Sequence, residues 1–126
     1  MESIVRLIGV YDADGTVVGE LSYWIRARLG RAHCSLCDIT HGSVRAKPEW
    51  TTCRQSLAIP FDTYHRNDQP DRVRVATAEH LPAVVAETTT ELIVLLDPEA
   101  LVACDGSLDA MFNALQSAAD ARGLKY

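Results

Sequence analysis

Leu81-Pro82-Ala83-Val84-Val85-Ala86 and, after a short polar gap, Leu92-Ile93-Val94-Leu95-Leu96 form the stretch whose reading decides the fold. Both runs are short, aliphatic and bounded by polar residues, which is the pattern of two buried strands. The Thr88-Thr89-Thr90 link is short enough for a hairpin, although it lacks the Gly or Asn of the favoured turns. Asp97-Pro98-Glu99 then reads as a helix start, with a capping Asp followed by Pro and Glu in the first turn. That helix stops at Asp105-Gly106. Ser107 caps another, carrying Leu108, Met111, Phe112 and Leu115 and ending at Gly123.

Working back from that stretch, Ile4 to Tyr11 reads as a strand ending in the turn Asp12-Ala13-Asp14-Gly15. Val18, Leu21, Ile25 and Leu29 recur at three- and four-residue steps among polar residues, an amphipathic helix that Gly30 stops. From His33 to Cys53 the pattern is irregular and basic, with Pro48 opening a short helix through Gln55. Ala58 to Tyr64 reads as a strand starting at Pro60, and Asn67 to Asp71 as a loop. Val73 to Glu79 is ambiguous and leans towards a helix or turn.

The order of these elements resembles the thioredoxin-like fold. In that family a cis-proline stands just before the third strand, and a hairpin and terminal helix follow. Pro82 occupies that place. The resemblance implies a three-layer α/β/α domain over residues 1–126, with a central mixed sheet of about four strands. One departure concerns the active site. The family's redox Cys-x-x-Cys follows the first strand directly, whereas here Asp12-Ala13-Asp14-Gly15-Thr16 stands there and the cysteine pair comes later.

The chain has 126 residues, 48% of them apolar, enough for one domain with a core of its own. The net charge of -5 argues against a general nucleic-acid binder. The charge is uneven. Arg26 to Arg54 holds six basic and two acidic residues, whereas Pro82 to Ala121 holds seven acidic and no basic ones. A solvated acidic face explains this, and so does a basic concavity that draws an anionic ligand. The start of the chain lacks the pattern of a secretory signal and no run reaches spanning length, so a cytoplasmic protein is expected, without membrane attachment. Thiols stay reduced there, and cysteines at x-x spacing then read as metal ligands or redox groups.

The chemistry is concentrated in His33-Cys34-Ser35-Leu36-Cys37-Asp38-Ile39-Thr40-His41. If this segment is helical, Cys34, Cys37 and His41 fall within about 60° around the axis. Such a stripe suits a transition metal, and zinc requires four ligands. Cys53 is the expected fourth, with His33 or the more distant His65 as alternatives. The spacing matches no finger pattern. The same pair supports a thiol–disulfide reading in which Cys34 attacks and Cys37 resolves. It also supports a plain structural one, with both thiols as small buried residues. Cys104 reads as core, Trp50 as core or a groove wall, and Asp38 as a helix-surface or turn residue.

Val10-Tyr11-Asp12-Ala13-Asp14-Gly15-Thr16 resembles the first motif of haloacid-dehalogenase-type phosphatases. The resemblance makes Asp12 a nucleophile and Asp14 an acid/base, with Mg2+ offsetting phosphate charge. The rest of that pattern is missing, since the only lysines are Lys47 and Lys125 and no acidic pair follows a later strand. A tight turn between strand and helix is the favoured reading of the motif. The expectation is therefore an α/β binding module holding zinc through Cys34, Cys37, His41 and Cys53, its partner and any catalytic residue unassigned. A thiol–disulfide oxidoreductase and an Mg2+-dependent phosphohydrolase are the alternatives.

Overall fold

The computed structural model describes residues 2–12, 35–40 and 47–125. Its centre is a four-stranded mixed sheet. β2 (Arg6–Tyr11) and β3 (Phe61–His65) run parallel, β4 (Ala83–Glu87) is antiparallel to β2, and β5 (Leu92–Leu96) is antiparallel to β4. The order across the sheet is β3-β2-β4-β5. A smaller parallel pair joins β1 (Glu2–Ser3) to β6 (Leu124–Lys125), tying the two ends of the chain together. The strand expected from Ile4 begins at Arg6 instead, and Glu2–Ser3 ahead of it form a separate strand. Ile4 donates its backbone N–H to Lys125 and Val5 to Glu87, so the chain changes pairing partner between them.

Among the described residues, outside which the helix expected over Val18–Leu29 lies, the helices are α1 (Ser35–Thr40), α2 (Pro48–Ser56), α3 (Asp71–Thr77), α4 (Pro98–Ala103) and α5 (Leu108–Ala121). Local chemistry sets several of their ends. Asp97 accepts from the Ala100 N–H and Ser107 from the Ala110 N–H, the caps expected from sequence. Pro48 and Pro98 stand in the first turn, where no N–H is needed. The ambiguous 73–79 segment is helical to Thr77 and then closes through Ala78 in the left-handed region. The Leu81–Pro82 peptide is cis. No helix among the described residues is long and apolar enough to cross a membrane.

Strand alternation sorts the side chains onto two faces. On one face Leu7, Tyr11, Phe61, Val84 and Ala86 pack with Leu36 and Ile39 of α1, Trp50 of α2, Leu101 of α4, and Met111, Leu115 and Ala119 of α5. On the other, Ile8, Val10 and Val85 pack with Val73 of α3, flanked by Tyr64, Leu81 and Val94. From Leu7 to Tyr11, β2 is buried throughout, as a strand covered on both faces must be. Trp50 meets Phe61 edge-to-face at 4.9 Å, and Phe112 completes the aromatic group. Both Trp50 and Cys104 are core, as expected.

Gly9 lets α1 lie close to the sheet. A Cβ there would meet Phe61 Cε1 at 3.2 Å and Leu36 Cδ2 at 3.4 Å. The absent side chain thus makes room for a leucine from α1 and a ring from β3 on the same face.

Candidate functional site

The carboxyl ends of β2 and β3 lie side by side, with Tyr11 paired to His65. From β2 the chain proceeds to β3 on one side, and from β3 it crosses to β4 on the other. In open α/β sheets such a switch point leaves a crevice at the carboxyl ends of the strands, where ligands bind.

Polar and aromatic groups gather at this edge. The His65 ring sits 5.5 Å from the Tyr11 ring. Alternation along β3 puts Phe61, Thr63 and His65 on the α1 face and Asp62 and Tyr64 on the α3 face. The Tyr11 hydroxyl is 3.0 Å from Thr40 Oγ1 at the end of α1. Thr40 also donates to the Leu36 carbonyl at 3.1 Å, so the phenol is the donor in the Tyr11–Thr40 bond. Both residues are buried, and this bond satisfies a polar pair beneath the edge.

Asp68 closes the turn after β3. One of its carboxylate oxygens accepts the His65 backbone N–H, and the other lies 3.2 Å from His65 Nδ1. Asp12, just past β2, faces Arg66 at 3.5 Å, an exposed contact. Below the turn Gln69 is buried and donates from Nε2 to the Arg66 carbonyl at 3.1 Å. Its Oε1 has no partner among the described residues. Turn chemistry was legible in sequence here, but the approach of Tyr11 to His65 and Thr40 was not. Those contacts span 54 and 29 residues, and no local pattern encodes them.

The expected metal ligands are distributed as follows. Cys34 and His41 lie outside the described residues, as does Asp14. Cys37 lies on α1, whose buried positions among the described side chains are Leu36, Ile39 and Thr40. Cys53 lies on α2, half-buried with a free thiol. It lines a groove of about 520 Å³ with Pro48, Glu49 and Thr52 of its own helix and Ser107, Leu108 and Asp109 at the start of α5. Among the described residues that groove has no member from α1. Nor do any three His, Cys, Asp or Glu residues among them form a group able to hold a metal ion. Cys104 is a buried free thiol whose sulfur contacts the Ala100 carbonyl at 3.4 Å, and burial pushes its pKa up. It is a packing residue with little thiolate character.

No family model, no curated protein and no solved structure matches this chain.

Proposed function

We propose that this chain is a thioredoxin-like α/β binding module that carries a zinc ion on Cys34, Cys37 and His41 and works in the cytoplasm through a partner. The fold half of this reading is supported by Pro82 standing directly ahead of the third strand of the sheet, by the β4–β5 hairpin and by α5 after it. Packed side chains on both faces of the sheet support the layering. A fold does not supply a function, so the metal half rests on the Cys/His segment itself.

The observation that carries it is that Ser35–Thr40 is helical. Helical spacing is the condition under which Cys34, Cys37 and His41 share a stripe. The core uses a different stripe, that of Leu36, Ile39 and Thr40. Thiolate and imidazole together are the donor set that favours zinc.

Metal analysis of the reduced full-length chain tests the reading. About one zinc per chain is expected, lost in Cys34→Ser and in His41→Ala. Metal-free wild-type protein sinks it. The same helix favours a second reading, because Cys37 stands in its first turn and Cys34 immediately before it. In that reading a Cys34 thiolate attacks a substrate disulfide and releases one substrate thiolate, and Cys37 then attacks the Cys34 sulfur of the mixed disulfide, releasing the second and leaving a Cys34–Cys37 disulfide. A Cys34 thiol pKa near the ordinary value of about 8.5 argues against it.

A further inference from the structure

We propose that the groove between α2 and the start of β3 is a binding site for an organic carboxylate, whose anion pairs with Arg54. The inference goes beyond the reading above and needs no metal. The groove has a volume of about 390 Å³. One wall is α2, where Thr51, Arg54 and Gln55 stand at helical steps of three and four and so share one side. The other wall is Pro60, Phe61 and Asp62.

Arg54 is positioned before any ligand arrives. Its guanidinium carbon lies over the Trp50 ring, 5.7 Å from the centroid. Trp50 is buried and meets Phe61 edge-to-face at 4.9 Å, so this platform belongs to the core. A guanidinium held on an aromatic face has less freedom to lose when an anion binds. The ring attracts the charge but supplies none of the oxygen acceptors that the N–H groups take. No carboxylate among the described residues pairs with Arg54. The groove's own acid, Asp62, is engaged by Arg6 at 3.3 Å.

The ligand's chemistry follows from these walls. Next to the guanidinium stand a hydroxyl and a side-chain amide, both able to donate, and Pro60 and Phe61 are apolar. A carboxylate brings two oxygens that fit the guanidinium fork, and a short apolar stem fits beside the proline. The volume lies near the lower end of the range for ligand pockets, roughly 300–1,000 Å³, so the body is small. A free organic acid and an acidic protein side chain share this chemistry.

NMR titration of the full-length protein tests the site, with benzoate, its neutral analogue benzamide, and glutamate capped at both ends as probes. A carboxylate is expected to shift the backbone amides of Thr51, Gln55 and Phe61 together. Benzamide is expected to bind about 10-fold or more weakly than benzoate, having no charge to pair. The tighter of the two carboxylates tells a free acid from an acidic side chain as the source. Arg54→Ala is expected to weaken carboxylate binding by about 10–100-fold, with the rest of its amide spectrum showing that it is folded. Arg54→Lys keeps the charge without the planar fork and is expected to fall between the two. A residue that merely packs on Trp50 gives no preference of carboxylate over amide. Equal binding of benzoate and benzamide overturns the proposal. So does unchanged carboxylate affinity in Arg54→Ala, or the absence of shifts at those three amides with either carboxylate.

Discussion

The two ends of the central sheet carry polar groups of different kinds. At the end where β2 begins, charges close on one another. Arg72 holds Glu87 through two contacts of 3.1 and 3.2 Å, Arg6 approaches the same carboxylate at 3.9 Å, and Arg6 also meets Asp62 at 3.3 Å. This network joins three strands and α3 and consists only of guanidinium and carboxylate groups. At the opposite end stand Tyr11, Thr40, His65 and Asp68, with Asp12 and Arg66 in a single contact of 3.5 Å. The first end is a clasp made of complementary charges. The second brings together neutral donors, an imidazole and a carboxylate, types that bind or orient a ligand.

Substitutions at the two ends test this contrast, and the largest expected effect is at Tyr11. Tyr11 is buried and touches both His65 and Thr40. Tyr11→Ala removes a packed ring and should cost about 3–5 kcal/mol in urea denaturation. Tyr11→Phe keeps the ring and loses the bond to Thr40, a cost of about 1 kcal/mol. Equal losses in the two variants would mean that the hydroxyl, not the ring, secures α1 to this edge.

The next effect is at the clasp and depends on pH. The hydrogen bonds from Arg72 hold the Glu87 carboxyl below its usual range, against the opposing effect of burial. A carboxylate lowered in this way contributes stability that is present above its unfolded pKa, near 4.5, and is lost as pH falls through the folded value. Glu87→Gln should therefore lower the denaturation midpoint at neutral pH and flatten its fall in acid. Unchanged acid dependence would show that the clasp adds little to the fold.

The smallest effect is expected at Asp12. Asp12 and Arg66 are 37% and 49% exposed, so Asp12→Asn should change stability by less than about 1 kcal/mol. A larger loss would mean that the polar edge is held together as firmly as the clasp, and the contrast between the two ends would fail.

Legibility from sequence followed the range of the interactions. The β4 and β5 runs, the Asp97 and Ser107 caps and α5 rest on contacts a few residues apart, and they occur as read. The segment from Val73 was ambiguous because Val73 alone of its residues anchors a hydrophobic cluster. Packing against Ile8, Val10 and Val85 gives that single side chain its place. The later start of that strand at Arg6 was not legible, because the Ile4 amide pairs with Lys125, far along the chain. For the site, the sequence singled out Cys34, Cys37 and His41 by their density and His65 only as a remote option.

Composition and pattern determined on their own that the chain is an α/β protein with a hairpin and a capped helix in its last third, and that four of its eight cysteines and histidines fall within nine positions. Propensity, capping and periodicity are local, and those features need nothing else. Only the tertiary structure decided that β2 is central, that Gly9 admits Leu36, and that Tyr11 stands between Thr40 and His65. Register and face depend on strands and helices that meet across long loops. Closing those loops is favoured by burial of the whole core rather than by any one segment.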